Sequence, residues 1–292
     1  MACPLPSECV HLIVSAFLLC VAQLLSADTD KAVIHELPVK FEEGLLWMDV
    51  KLPQANESLH FLVDSGASVS VVNSVTARRL GLKIGSEVTV KGVDTVLTGH
   101  WPVKLSARAS QIELPREYLA LDLTKLSDAC GRPVDGLVGA DFFRDRVVQI
   151  DYTTQKLRVL AVAPSESGSK AIPLESRPGG FLVTVKVNGG RPQRVRVDTG
   201  CATAFQWVTS RALGERGSEK MTVGLAELAI PQTTTGLLIG NRHLDAVPTG
   251  LHCKAIFPGE SGLLGNALLA EFGVVTFDPK SARLILGDTL KK

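Results

Sequence analysis

The chain has 292 residues, a formal net charge of +1 with histidines neutral, and 45% hydrophobic residues. Its lysines and arginines are scattered rather than clustered, which argues against a nucleic-acid partner. The cysteines show no paired metal-ligand spacing, so no metal or other cofactor is expected.

The first predicted element is a leader. His11 to Leu25 is an almost unbroken apolar run that ends in Ser26-Ala27, the pattern of a secretory signal and its cleavage site. The segment before it has no Lys or Arg, so residues 1–27 are read as either a signal peptide or an uncleaved N-terminal anchor. The expected location is secreted or periplasmic, in the cell envelope, with membrane contact only through an uncleaved leader. Cys3, Cys9 and Cys20 fall in the leader; Cys130, Cys201 and Cys253 remain. That is an odd number, so at least one thiol is free or pairs with another chain. A Cys201–Cys253 bridge is one arrangement open to an oxidising compartment.

Beyond the leader the predicted elements occur twice and in the same order. A strand at Gly44–Pro53 is matched by one at Gly180–Gly189. Phe61-Leu-Val-Asp-Ser-Gly66 is matched by Val195-Arg-Val-Asp-Thr-Gly200. Short helices follow at Asn73–Leu80 and Thr209–Leu213, closed by Gly81 and Gly214, since a glycine after the last apolar residue stops a helix. Then come Asp135–Phe143 and Ser261–Leu269, and each half ends in a strand pair: Val147–Asp151 with Leu157–Leu160, and Val274–Asp278 with Leu284–Leu286. Five collinear matches imply two copies of one unit. We read residues 28–163 and 171–292 as two lobes joined by a Pro- and Ser-containing linker, 164–170. The strands are short, rich in Val, Leu and Ile, and punctuated by turn residues, which predicts two all-β lobes of antiparallel structure with few short helices.

An Asp-Ser/Thr-Gly triplet closing an apolar strand delivers a carboxylate to a turn, where glycine permits close approach. One triplet is an ordinary turn. In a twofold repeat, equivalent residues meet near the pseudo-axis, so Asp64 and Asp198 are brought together. Two carboxylates about 3 Å apart share one proton. One is then a base able to activate water, and the other an acid able to polarise a carbonyl.

Phe61–Ser68 and Val195–Ala202 resemble the active-site loops of retropepsin-like and pepsin-like aspartic peptidases. Leu137-Val138-Gly139 and Leu263-Leu264-Gly265 resemble that family's hydrophobic-hydrophobic-glycine motifs, which thread beneath each loop. The resemblance covers nearly all of the chain after the leader. It implies two retropepsin-like β-barrel lobes related by a pseudo-twofold, with Asp64 and Asp198 catalytic. Ser65 and Thr199 would make an interlocked hydroxyl contact between lobes, and Gly66 and Gly200 would shape the loops. The implied activity is aspartic-type endopeptidase cleavage without a cofactor. The expected partner is a peptide or unfolded protein lying extended between the lobes of a monomer. The alternative is a bilobal relative of weak or no activity that binds peptide or envelope components.

Two departures bear on chemistry. Ala67 and Cys201 stand where pepsins carry a Ser or Thr that hydrogen-bonds the catalytic carboxylate, which predicts a dyad working at mildly rather than strongly acidic pH. The candidate flap, Val88–Val103, lacks the tyrosine that pepsins place there, and Trp101 is the residue available to replace it. The second lobe's equivalent, Met221–Leu238, has no aromatic residue. His243 and His252 match no zinc spacing.

Overall fold

The computed structural model describes residues 32–92, 95–165, 171–209, 218–223 and 226–289. The leader, residues 166–170 of the linker and residues 210–214 of the second predicted helix lie outside the described residues.

The two halves build the same eight-stranded sheet. In the first, the spatial order is Lys40–Glu42, Leu45–Val50, Leu59–Val63, Gly136–Val138, Val71–Asn73, Glu117–Leu121, Thr95–Lys104 and Ser86–Gly92. In the second it is Glu175–Arg177, Gly180–Val187, Pro192–Asp198, Gly262–Gly265, Phe205–Val208, Arg242–His252, Ala226–Ile239 and Ser218–Val223. Each strand of one half thus has a counterpart in the same place in the other. In the second half Gly180–Val187 also pairs with Ala226–Ile239, which closes six of its strands into a barrel.

The lobes are less purely antiparallel than the sequence pattern predicts. Gly136–Val138 runs parallel to Leu59–Val63 and antiparallel to Val71–Asn73. Gly262–Gly265 does the same between Pro192–Asp198 and Phe205–Val208. The reason is a crossover: the chain leaves each Asp-bearing strand, traverses the lobe, and returns to insert the hydrophobic-hydrophobic-glycine strand beside it. A period-two pattern reports strand faces but not strand direction.

The strand pairs that end each half do not stay apart. They join in one six-stranded sheet in the order Val33–Pro38, Lys156–Leu160, Val147–Asp151, Val274–Asp278, Arg283–Leu286 and Ala171–Pro173. At its centre Val148 faces Phe277, Gln149 faces Thr276 and Ile150 faces Val275. Gln149 and Thr276 are each other's repeat equivalents, so the pseudo-twofold axis passes through that pair. The Gln149 Nε2 donates to the Thr276 Oγ1 at 3.2 Å.

One apolar core runs through both halves. Its junction is aromatic: Phe143 from the first lobe packs edge-on against Phe181 of the second at 6.1 Å and against Phe277 of the shared sheet at 5.0 Å. All three are fully buried. The predicted helix of the first lobe is present at Ser74–Arg79, with the Asn73 side chain accepting from the Val75 N–H at 3.0 Å. Gly81, at φ +64°, closes it.

Because Phe143 touches both lobes, Phe143→Ala is expected to destabilise the whole molecule by about 3–5 kcal/mol. Urea denaturation followed by tryptophan fluorescence should show one transition displaced to lower denaturant. Two separated transitions would contradict a shared core.

Candidate active site

The strand Leu59–Val63 is buried except at His60, and it carries Asp64 to the lobe boundary. The Asp64 N–H donates to the Val138 carbonyl at 2.9 Å, which ties the start of the turn to the hydrophobic-hydrophobic-glycine strand. The Asp64 Oδ1 accepts from the N–H groups of Gly66 and Ala67, both at 3.0 Å. In the second lobe Pro192–Asp198 ends on Asp198, whose Oδ1 accepts from the Gly200 N–H at 2.9 Å. Each carboxyl lies against the glycine of the opposite triplet, close enough for the two to influence each other's protonation.

The triplet glycines explain how the carboxyls approach so closely. A Cβ on Gly66 would stand 2.3 Å from the Asp198 Cγ, and one on Gly200 would stand 2.4 Å from the Asp64 Cγ. Each glycine therefore vacates the space that the opposite aspartate occupies. Any side chain there would force the pair apart.

The hydroxyl residues lock the two turns together. The Ser65 Oγ donates to the Val197 carbonyl at 2.8 Å, and the Thr199 Oγ1 donates to the Val63 carbonyl at 2.9 Å. In return the Ser65 N–H donates to the Thr199 Oγ1 at 2.8 Å, and the Thr199 N–H donates to the Ser65 Oγ at 3.1 Å. Both side chains are fully buried.

The second motif lies beneath each turn. Leu137, Val138, Leu263 and Leu264 are buried. The N–H after Gly139, that of Ala140, donates to the Ala67 carbonyl, and the Asn266 N–H donates to the Cys201 carbonyl, both at 2.8 Å. A Cβ on Gly139 would meet the Val69 carbonyl carbon at 2.5 Å, and one on Gly265 would meet the Thr203 carbonyl oxygen at 2.2 Å. Glycine is what lets the strand pass under the loop.

Several supporting residues escape a motif-based reading. The Ser70 Oγ donates to the Asp141 Oδ1 at 2.8 Å and accepts from the Gly139 N–H at 3.0 Å, bracing the first loop. In the second lobe Asn266 takes over: its Nδ2 donates to the Thr199 carbonyl at 2.5 Å, and its Oδ1 accepts from the buried Tyr152 hydroxyl at 2.7 Å. Arg196 lies two residues before Asp198 and contacts Glu260 and the Gly66 carbonyl. The available signal was asymmetry between the copies, since Asn266 and Arg196 occupy the positions of Ala140 and Leu62.

Burial pushes the carboxyls of both Asp64 and Asp198 above the ordinary carboxylate range. For Asp198 the neighbouring Asp64 charge adds to this, whereas for Asp64 the Ala67 and Gly66 N–H groups oppose it. The Arg196 cation lowers both. Cys201 is buried beside the dyad, with its Sγ 3.2 Å from the Thr203 Oγ1. Burial, and then the Asp198 charge, push this thiol up to about 12. It stays protonated and is a poor nucleophile. Cys130, Cys201 and Cys253 are all free, so the Cys201–Cys253 bridge is not made. The His252 Nε2 sits 2.7 Å from the Gln206 Oε1.

The candidate flap is a hairpin of Ser86–Gly92 and Thr95–Lys104. Trp101 pairs with Ser86 at its base and is partly buried in a cluster with Trp47, Leu62, Leu119, Leu121 and Leu137. Leu62 and Leu137 pair with each other on the strands that lead to Asp64 and Gly139, so Trp101 packs the base of the hairpin against those strands. Near the tip, Val96 is exposed.

Residues 49–142, the part of the first lobe that carries Asp64, its triplet and the first hydrophobic-hydrophobic-glycine strand, match the aspartyl protease family. That match supports kinship with aspartic proteases for this stretch of the first lobe. Comparison with curated proteins gives no match.

A raised folded-state pKa means that Asp198 keeps its proton in the native state after the unfolded chain has lost it. The resulting stability is complete below the unfolded value, about 3.9, and is lost as pH rises through the raised value. Asp198→Asn removes this dependence. Urea denaturation from acidic to mildly alkaline pH should therefore show the variant gaining on the wild type as pH increases; a constant difference would contradict a protonated Asp198.

Proposed function

We propose that the protein is an aspartic endopeptidase that hydrolyses peptide bonds with water activated by Asp64 and Asp198. The observation that carries this reading is the approach of two carboxyls, Asp198 buried and Asp64 partly buried, each fitted into the space left by the opposite triplet's glycine.

The roles follow from the unequal hydrogen bonding. Asp64 accepts two backbone N–H groups on Oδ1 and Asp198 accepts one, and donors to an ionised carboxylate favour ionisation. In the singly protonated pair Asp64 carries the charge and Asp198 holds the proton. A water between them gives a proton to Asp64 as its oxygen attacks the scissile carbonyl carbon. Asp198 gives its proton to the carbonyl oxygen, which yields a tetrahedral diol. Collapse of the diol returns a proton to Asp198, while Asp64 protonates the departing amine, and the C–N bond breaks. No covalent intermediate forms.

A cleft between two β lobes suits an extended segment that adds backbone hydrogen bonds, so the substrate is a peptide or unfolded protein. The resemblance to aspartic peptidases implies an apolar cleft and hydrophobic residues next to the cut. The apolar leader read from the sequence supports export, and the protein is proposed to act in the periplasm, the envelope or the exterior as a monomer.

Incubation of the protein with an unfolded substrate, with fragments identified by mass spectrometry, should reveal internal cleavage. Asp64→Asn and Asp198→Asn should each lower kcat by about 10²–10⁴-fold, with peptide affinity retained. Binding by the wild type without cleavage would favour the inactive peptide-binding relative instead.

The absence of a Ser or Thr hydroxyl at Ala67 leaves Asp64 with fewer acceptor contacts than a pepsin-like loop provides. The profile of kcat/KM against pH should be bell-shaped, rising as the pair loses its first proton and falling as it loses its second. Its maximum should lie at mildly acidic pH, and a maximum near about pH 2 would contradict the assignment.

A further inference from the structure

We infer that Arg196 and Glu260 form a positioning pair that ties the first lobe's catalytic turn to the second lobe and sets the charge state of the two aspartates. This rests on the paired-aspartate reading above and deepens it.

Arg196 is 4% exposed, although it lies one turn of the strand from Asp198. Its guanidinium engages Glu260 bidentately, Nε to Oε2 at 2.8 Å and Nη2 to Oε1 at 2.5 Å. Its Nη1 donates across the lobe boundary to the Gly66 carbonyl at 2.8 Å, and also to the Gly179 carbonyl. Phe257 covers one face, with its ring centroid 3.8 Å from the Arg196 Cζ. The contact to Gly66 is the informative one. Gly66 and Ala67 supply the N–H groups that Asp64 accepts, so fixing the Gly66 carbonyl fixes the peptide plane that aims the Ala67 N–H at Asp64.

The repeat shows that the fold does not demand an ion pair here. Arg196 corresponds to Leu62, two residues before the first aspartate. Glu260, immediately before Ser261, corresponds to Val134, immediately before Asp135. Leu62 and Val134 belong to one buried apolar cluster. The same two positions are therefore filled by apolar side chains of one cluster in one lobe and by an ion pair in the other. Buried ion pairs give little or no stability over apolar side chains of similar size. A reason for this one lies in what it faces.

It faces the dyad. The titratable groups around the two carboxyls are the Cys201 thiol, which remains neutral, and the Arg196 cation, itself paired with Glu260. Two enclosed carboxyls side by side resist ionisation. A nearby cation favours loss of one proton while the mutual repulsion retains the other. Glu260 tempers the cation and holds its orientation.

The test is the double variant Arg196→Leu/Glu260→Val, which gives the second lobe the first lobe's own pair and leaves no buried charge unpaired. Carboxyl titration by ¹³C NMR on aspartate-labelled full chain is read together with the pH profile of kcat/KM. Removing the cation should move the first dyad titration and the acidic limb upward, by about one pH unit, and lower kcat more than it changes KM. A folded double variant with an unmoved titration overturns the inference. The single variant Glu260→Gln keeps the shape and removes the opposing charge, so it should move the same titration downward. That arm stands even where the double variant does not fold, and an unmoved titration there also overturns the inference. Should the wild type cleave nothing, the peptidase reading fails, while the NMR titrations still decide the role of Arg196.

Discussion

Ser65 and Thr199 each donate a hydroxyl proton across the lobe boundary to the carbonyl of the residue before the other lobe's aspartate, and each accepts the other's backbone N–H. These four bonds lie in a fully buried environment, where an unsatisfied polar group is costly. Their geometry is satisfied only when both turns meet in register, so the interlock converts two separate turns into one rigid object. Gly66 and Gly200 then admit the opposite carboxyl, and the hydrophobic-hydrophobic-glycine strands press up from beneath. Displacing either turn would break bonds in both lobes at once. The closeness of Asp64 and Asp198 is thus maintained against their electrostatic repulsion by neutral hydrogen bonds around them.

The symmetry that creates the site extends to the base of the molecule. The six-stranded sheet places Gln149 opposite Thr276 on the pseudo-axis, and the Phe143, Phe181 and Phe277 cluster fills the junction. The interlocked Asp-bearing turns and the shared sheet together hold the lobes in a fixed relation. The meeting of the two Asp-bearing turns is consequently a feature of the folded whole, whose halves share one core.

The proposed reaction requires departures from that symmetry, because it assigns the roles of acid and base to two identical carboxyls. The structure supplies them near the dyad. Asp64 has two backbone donors on Oδ1 and Asp198 has one. Ala67 is matched by Cys201, Ala140 by Asn266, and Leu62 by Arg196. Asn266, anchored by Tyr152, and Arg196, anchored by Glu260, give the second lobe a polar frame where the first has an apolar one. The scaffold brings the aspartates together as equals, and these neighbours make them unequal.

Much of this was legible in the chain itself. The duplicated order of strand, Asp-Ser/Thr-Gly triplet and hydrophobic-hydrophobic-glycine segment announced two β lobes, and the first helix was marked by Asn73 and Gly81, because local periodicity and capping depend on neighbours in sequence. Strand direction was not legible, since alternation looks the same for parallel and antiparallel partners. The union of both terminal strand pairs in one sheet, the place of Trp101 at the base of its hairpin, and the reach of Arg196 to Gly66 were decided only by tertiary structure. Each joins residues far apart in the chain, and nothing local in a sequence encodes which distant surfaces will meet.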